Sequence, residues 1–413
     1  MKTAFHFQKG AIMRTLNIDI ETFSSVDIGK SGAYKYAMSD DFQILLFAYS
    51  IDGQDVKIID LAQGEVIPQE VLELLKDKEC IKYAYNAVFE WWCLNNFNIE
   101  TPLEQWQCTM VHGLYCGYTA GLAAIGNAMG LPQDKKKLTT GSALIRYFCI
   151  PCKATKSNGN RTRNLPQHAP EKWELFKEYC IQDVVTEMEI GRRLSAFPVP
   201  NREWKLWQLD TSMNAYGVRV DSELVNGALY IDALSRANLL EEARDITKLD
   251  NPNSTSQLLS WLEEAGEEVE NLQKATVEKM VGTLEDGQAK RVLEIRQELS
   301  KTSVKKYKAM SEAMCKDGRV RGLLQFYGAN RTGRYAGRLV QVQNLPRNYI
   351  GTLDVARDVI KKSDGELLEM LYGNIPDTLS QLIRTAFIPS EGNHFVVSDF
   401  SAIEARVIAW HEL

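Results

Sequence analysis

Asp19 and Glu21 stand two residues apart in "LNIDIETFS" (16–24), among the alternating apolar residues Leu16, Ile18 and Ile20. That alternation predicts a half-buried strand, on which both carboxylates point to the same face. Two like charges side by side repel, so the face is either solvated or set against something cationic. Further carboxylates occur where they could join the pair. Glu90 ends "NAVFE" at a predicted strand-to-helix turn, and Asp183 ends "YCIQD" on a long predicted helix. Tyr179 lies one turn before Asp183 on the same helix face. Four carboxylates converging on one pocket require cations, and an all-oxygen donor set selects Mg²⁺ or Mn²⁺. Two such ions ~4 Å apart activate a water and stabilise the leaving oxygen of an in-line displacement at phosphorus. A tyrosine hydroxyl beside the fourth carboxylate could orient that water.

The elements that must carry these residues are legible in outline. "FQILLFAYSI" and "DVKIIDL", joined by the Gly-containing "DGQD", predict a hairpin. "PQEVLELLKD" predicts a helix opened by Pro68, and "IKYAYNAVFEWWCLNNF" a strand running into a helix. Residues 153–170 read as a loop, followed by the long amphipathic helix "EKWELFKEYCIQDVVTEMEIGRRL". The Pro-rich "AFPVPN" after it is taken as a domain boundary. Beyond it, "PNSTSQLLSWLEEAGEEV" and "QAKRVLEIRQELSKTSVKKYKAMSEAM" each predict a helix, "HFVVSDF" a strand and "SAIEARVIAWHEL" a helix. The expected division is 1–13, a leader or misassigned start before Met13; 14–197, an α/β domain; and 198–413, a mostly helical domain with some strand.

Composition narrows the classes. A chain of 413 residues is long enough for two or three cored domains, and no apolar run approaches the ~20 residues of a membrane span. The opening residues carry no apolar h-region or cleavage site, so a secretory signal is not expected. Eight scattered cysteines suit a reducing cytoplasm; Cys149-x-x-Cys152 is half a zinc site without a second pair, so a structural role is expected. Net charge is −6, yet residues 291–349 hold 13 Lys/Arg against 4 Asp/Glu, and residues 133–164 hold 8 against 1. Basic stretches on an acidic chain point to phosphate-bearing partners.

The D-x-E of "NIDIETFS", the N-x-x-x-[DE] of "NAVFE" and the Y-x-x-x-D of "YCIQD", in that order, resemble the three motifs of the DEDDy 3′–5′ exonucleases. These are the RNase H-like proofreading domains of DNA polymerases. The resemblance places Asp19, Glu21, Glu90 and Asp183 at the metal-ligand positions, two Mg²⁺ or Mn²⁺ ions per site, and Tyr179 at the water-orienting position. Glu90 departs from the usual Asp by one methylene. A second resemblance covers "RTGRYAGRLVQVQNLPR" and "IRTAFIPSEGNHFVVSDFSAIEARVIAWHEL", which look like the central region of phage-type family A (Pol I-like) DNA polymerases. It places Arg334 against the primer terminus or incoming nucleotide, with Arg338, Gln343, Asn344 and Arg384 also among the DNA- or nucleotide-binding residues. Asp399 falls on a catalytic, metal-binding aspartate and Glu404 on the residue that excludes a 2′-hydroxyl. Phe400 stands where Tyr is commoner, and Ala402 where Gln is.

These resemblances imply an RNase H-like exonuclease followed by a thumb and a partial palm, in a monomeric replicative DNA polymerase of a bacterial or phage-infected cytoplasm. The fingers and a second palm carboxylate lie downstream of Asp399 in that family, so a polymerase fragment is expected, with exonuclease its own activity. The partners are a single-stranded 3′ end and a primer–template, with dNTP bound only in the full-length parent. Two other readings use the same residues. One is a freestanding DEDD exonuclease with a nucleic-acid-binding appendage, for which the Asp399 motif has no use. The other is a non-catalytic DNA-binding module.

Overall fold

The computed structural model describes residues 14–301, 304–329 and 332–412. Its described residues form two compact units: 14–217 with 308–345, and 218–307 with 346–412. The first unit thus takes in the helix Asn201–Tyr216 and a second chain segment besides 14–197.

Strand β1 (Thr15–Phe23) is the centre of the first unit. The chain continues through α1 (Ile28–Ala37), β2 (Gln43–Ile51), β3 (Lys57–Asp60), α2 (Gln69–Lys76), β4 (Ile81–Ala84), α3 (Val88–Asn96) and β5 (Trp106–Cys108). The helices α4 (Thr109–Tyr115), α5 (Leu122–Ala128), α6 (Gly141–Phe148), α7 (Pro170–Leu194) and α8 (Asn201–Tyr216) follow. The five strands lie in the order β3-β2-β1-β4-β5. β1–β2 and β2–β3 are antiparallel, and β1–β4 and β4–β5 are parallel. The predicted β2–β3 hairpin forms, its turn carried by Asp52 and Gly53 at φ 52° and 73°.

β1 is not half-buried. Its apolar face, Leu16, Ile18 and Ile20, packs in a core with Val71, Leu74 and Leu75 of α2 and Leu94 of α3. Its other face is covered as well: Asn17 and Glu21 are buried there, and Asp19 keeps only part of its surface. A second core over that face joins Phe23, Leu46 and Ala48 to Phe148 of α6 and Trp173, Phe176 and Val184 of α7. Alternation misled because the second face is roofed by a helix rather than by water. On α7 the buried stripe Phe176, Tyr179, Cys180, Asp183, Val184, Glu187 and Ile190 keeps the i, i+3, i+4 period, with polar side chains placed directly over β1.

The segment 308–345 completes the first unit with a hairpin, Leu324–Ala329 paired antiparallel to Arg334–Gly337. Phe326 enters the core beside Leu16 and Ile18. Asn214 of α8 clamps the hairpin, donating to the Leu324 carbonyl (3.1 Å) and accepting from its N–H (3.0 Å).

In the second unit, helix Ser222–Thr247 is capped by Asp221, whose carboxylate also takes Arg357 and Lys361, both at 2.8 Å. The single predicted helix "QAKRVLEIRQELSKTSVKKYKAMSEAM" is two: Gln288–Ser300 in this unit, and Lys305–Ala313, which from Lys308 onward belongs to the first. Lys301 is already extended, in a run (Lys-Thr-Ser-Val) whose β-branched and hydroxyl residues are poor helix formers. The predicted strand "HFVVSDF" is irregular and exposed, with Val396 and Val397 at 83% and 91% exposure. A lone extended segment with no neighbour to bond to is not stable as a strand. Helix Ile403–His411 forms as predicted but buries none of its residues.

Gly227 marks the tightest packing in this unit: a Cβ there would strike the Ile360 carbonyl oxygen of helix Leu353–Lys361. Gly227→Ala should force those two backbones apart and cost about 1–3 kcal/mol. Hydrogen exchange should show protection lost across 222–247 and 353–361, with β1–β5 unchanged.

Candidate active site

The residues of the three motifs arrive from separate elements. β1 supplies Asp19 and Glu21, and α7 supplies Tyr179 and Asp183. Glu90 lies in the first turn of α3, after a turn in which Asn86 takes φ 116°. Asp19, Glu21 and Asp183 each bring a carboxylate oxygen within 4.8 Å of the others. Glu90 stands outside that tight group but lines the same cavity of about 850 Å³ with Asp19 and Asp183. Tyr179 is buried one turn before Asp183 on the same stripe of α7.

The electrostatics follow from crowding. Burial, then the neighbouring Asp183, pushes the Asp19 carboxyl up to about 8. Burial and the charge of Asp19 hold both Glu21 and Glu90 well above the usual glutamate range. Asp183 is also raised by burial, with Lys137 pulling the other way. Glu90 Oε2 and Asp183 Oδ1 are buried without a hydrogen-bond partner among the described residues. Orphaned carboxylate oxygens facing an all-oxygen donor set fit a hard divalent cation.

Sequence reasoning missed Lys137. Its ammonium is ion-paired with Asp183 and sits 4.7 Å above the centre of the Tyr179 ring. The basic stretch 133–164 contained the signal, but a charge count cannot separate the one lysine that pairs with Asp183 from its neighbours. Gly141 lets this loop approach, since any Cβ there would overlap the Tyr179 ring. Glu187 was also missed: one turn after Asp183, it accepts from Asn17 Nδ2 (2.7 Å) and from the Thr109 hydroxyl, and so ties α7 to β1 and α4. Cys149 and Cys152 form no disulfide; Cys149 Sγ lies 3.8 Å from Glu21 Oε2 and Cys152 Sγ 3.4 Å from the Arg161 carbonyl.

The residues of the second resemblance are divided. Arg334 opens the second hairpin strand in the first unit, and Gln343 and Asn344 form a short turn beyond it. Arg338, in the same segment, lines the carboxylate cavity. Arg384, Asp399 and Glu404 belong to the second unit and are exposed.

No family model matches the chain. Over 399 residues it is 56% identical to the DNA polymerase of Bacillus phage SP02. The chain is a homologue of a phage-type DNA polymerase. The match takes in 96% of this chain and 61% of that polymerase, so the chain spans about three fifths of its relative's length. In fold, the polymerase homologue resembles the POL domain of Pol1 from M. smegmatis, solved with DNA primer-template and dNTP. That likeness has a TM-score of 0.53 at 16% identity and covers 96% of this chain and 59% of the other. Among the described residues, no helix of this homologue is long and apolar enough to cross a membrane.

Two stability measurements test the electrostatics. Asp19 carries a folded pKa of about 8 against ~3.9 unfolded, so the folded state holds the extra proton between those values and stability falls as pH rises. In EDTA, Asp19→Asn should melt above wild type at pH 8, with the gap closing toward pH 4. Lys137→Ala should do the reverse at pH 8, costing about 2 kcal/mol by stranding Asp183, and Mn²⁺ should narrow that loss.

Proposed function

We propose that this chain is the exonuclease-bearing part of a family A, phage-type replicative DNA polymerase, and that its first unit removes nucleotides from DNA 3′ ends. The observation that carries this reading is the convergence of Asp19, Glu21 and Asp183, with Tyr179 one helical turn before Asp183 on the same buried stripe of α7. The sheet supports it: three antiparallel strands continued by two parallel ones, with α7 across the central strand, is the arrangement expected of an RNase H-like domain. The homology to a phage DNA polymerase supports DNA as the substrate and replication as the setting.

Asp19, Glu21, Glu90 and Asp183 would hold two Mg²⁺ or Mn²⁺ ions, which when bound supply charge neutralisation and a more acidic water for attack on the terminal phosphodiester. The chain's own residues do the positioning. Tyr179 stays protonated, since burial and then Asp183 raise its pKa, so its hydroxyl can direct a water along the line of attack. The buried Asn17–Glu187–Thr109 bonds fix the register of α7 over β1, on which the spacing of the carboxylates depends. Arg338 and the basic stretches would meet phosphates of the single strand, and Arg334, Gln343, Asn344 and Arg384 the primer–template.

The polymerase assignments remain part of the same proposal: Asp399 a metal ligand, Glu404 the guard against a 2′-hydroxyl, dNTP the substrate. Asp399 stands on an exposed irregular segment, whereas the first-unit carboxylates already converge. Hydrolysis is therefore the chemistry we assign to this chain.

With 5′-labelled single-stranded DNA and Mg²⁺ or Mn²⁺, the purified chain should shorten the strand from its 3′ end. Asp19→Ala or Asp183→Ala should lower the rate by about 10³-fold or more, and Tyr179→Phe by about 10–100-fold. Wild-type rates in Asp19→Ala would overturn the site, and no hydrolysis by the wild-type chain would favour a binding module.

A further inference from the structure

The hairpin that completes the first unit packs against polar atoms that it leaves unsatisfied. Tyr34 Oη, Asp210 Oδ1, Thr211 Oγ1 and Gln325 Oε1 are buried and have no hydrogen-bond partner among the described residues. Tyr34 comes from α1, Asp210 and Thr211 from α8, and Gln325 from the strand Leu324–Ala329. Atoms so deep are out of reach of a ligand in the neighbouring cavity. Water meets them only when one of these elements moves, so each stays desolvated and unpaired while the hairpin is docked.

The backbone of the hairpin adds a second cost. Tyr327, Leu339 and Gln341 hold φ at 52°, 54° and 54°, a left-handed conformation that bulky side chains adopt only under constraint. The pairing of Leu324–Ala329 with Arg334–Gly337 also slips register between Gln325 and Ala329. Against these costs stand the Asn214 clamp on Leu324, the burial of Phe326 and a bond from the Tyr327 hydroxyl to Glu203. Leu339 presses on Gly32, where a Cβ would lie 3.0 Å from Leu339 Cδ1 and where α1 breaks at φ 80°. Leu324, Gln325, Phe326, Arg338 and Leu339 line the cavity that holds Asp19, Glu90 and Asp183.

We propose that the strands Leu324–Ala329 and Arg334–Gly337, with Arg338 and Leu339, form a releasable wall of this cavity, latched to the rest of the first unit through the buried carboxyl of Asp210. The latch stands apart from the hydrolytic reading, and failure of either leaves the other intact. A neutral Asp210 donates as well as accepts, which suits a setting of two hydroxyls and an amide oxygen. An ionised Asp210 only accepts, in a place that water does not screen. The groups around it do not neutralise it. Tyr34 on α1 and Tyr335 on the hairpin feel its charge, and burial keeps both hydroxyls protonated. Arg321 is committed to Asp317 and the Ala215 carbonyl, and Glu203 on α8 is itself acidic. The same cavity also holds Asp19, Glu90, Asp183, Lys137 and Arg338. Burial pushes Asp210 up to about 7. The docked carboxyl therefore keeps a proton that it would lose near ~3.9 in water, and docking weakens as pH rises from there to about 7.

The test is hydrogen exchange on the full chain in EDTA, read as protection of the amides of Leu324–Ala329 relative to their intrinsic rates at each pH. Wild type should lose about tenfold in protection between pH 6 and pH 8, with β2 and β3 unchanged. Asp210→Asn cannot ionise and should hold its protection across that range. Asp210→Ser, smaller and equally unable to ionise, serves if the amide variant does not fold. Asp19→Asn should keep the wild-type loss, which separates the latch from the carboxylate group. Protection that does not change with pH in wild type, or a tenfold loss that survives in a folded Asp210 variant, would overturn the latch.

Discussion

Carboxylates on adjacent positions of a doubly covered strand repel one another in a place where water cannot screen them. Asp19 and Glu21 occupy such a strand, and α7 lays Asp183 against them. Everything nearby can be understood as making that juxtaposition tolerable. Lys137 contributes the opposing charge, Gly141 gives its loop room, and the thiols of Cys149 and Cys180 approach Glu21 and Asp19 as weak donors. A fold that stores repulsion here favours any cation that relieves it.

The same strand anchors a quieter network one turn further along. Glu187, Asn17 and Thr109 form a buried, satisfied set, in contrast to the partly orphaned set at Asp183 and Glu90. Satisfied polar groups hold register; unsatisfied ones await a ligand. Placing both kinds on one helix stripe keeps the reactive spacing independent of whether the cavity is filled.

How much could be read in advance depended on whether a residue's role was local. Asp19, Glu21, Glu90, Tyr179 and Asp183 sit in short motifs on elements with clear periodicity, so those elements were legible; of the four carboxylates expected to converge, Asp19, Glu21 and Asp183 form the tight group and Glu90 lines the same cavity outside it. Lys137 acts through a contact across 46 residues of chain, and no local pattern marks it. The roof over β1 was invisible for the same reason, since alternation reports one face of a strand and is silent on what covers the other. "HFVVSDF" failed differently: its β-branched residues state a preference that only a neighbouring strand can realise.

The first unit is discontinuous in sequence, resuming at Lys308 after about 90 residues of the second. On a ribosome, which releases the N-terminal part first, β1 to α8 can fold before the hairpin that closes over Tyr34 exists. Loop-closure entropy grows slowly, about 0.6 kcal/mol for each doubling of the intervening length, so the late return of this segment is thermodynamically inexpensive. Its timing is the larger effect. A nascent chain holds the carboxylates before it holds Gln325, Phe326 and Arg338, and so lays down the charged floor of the cavity while its far wall is still unmade.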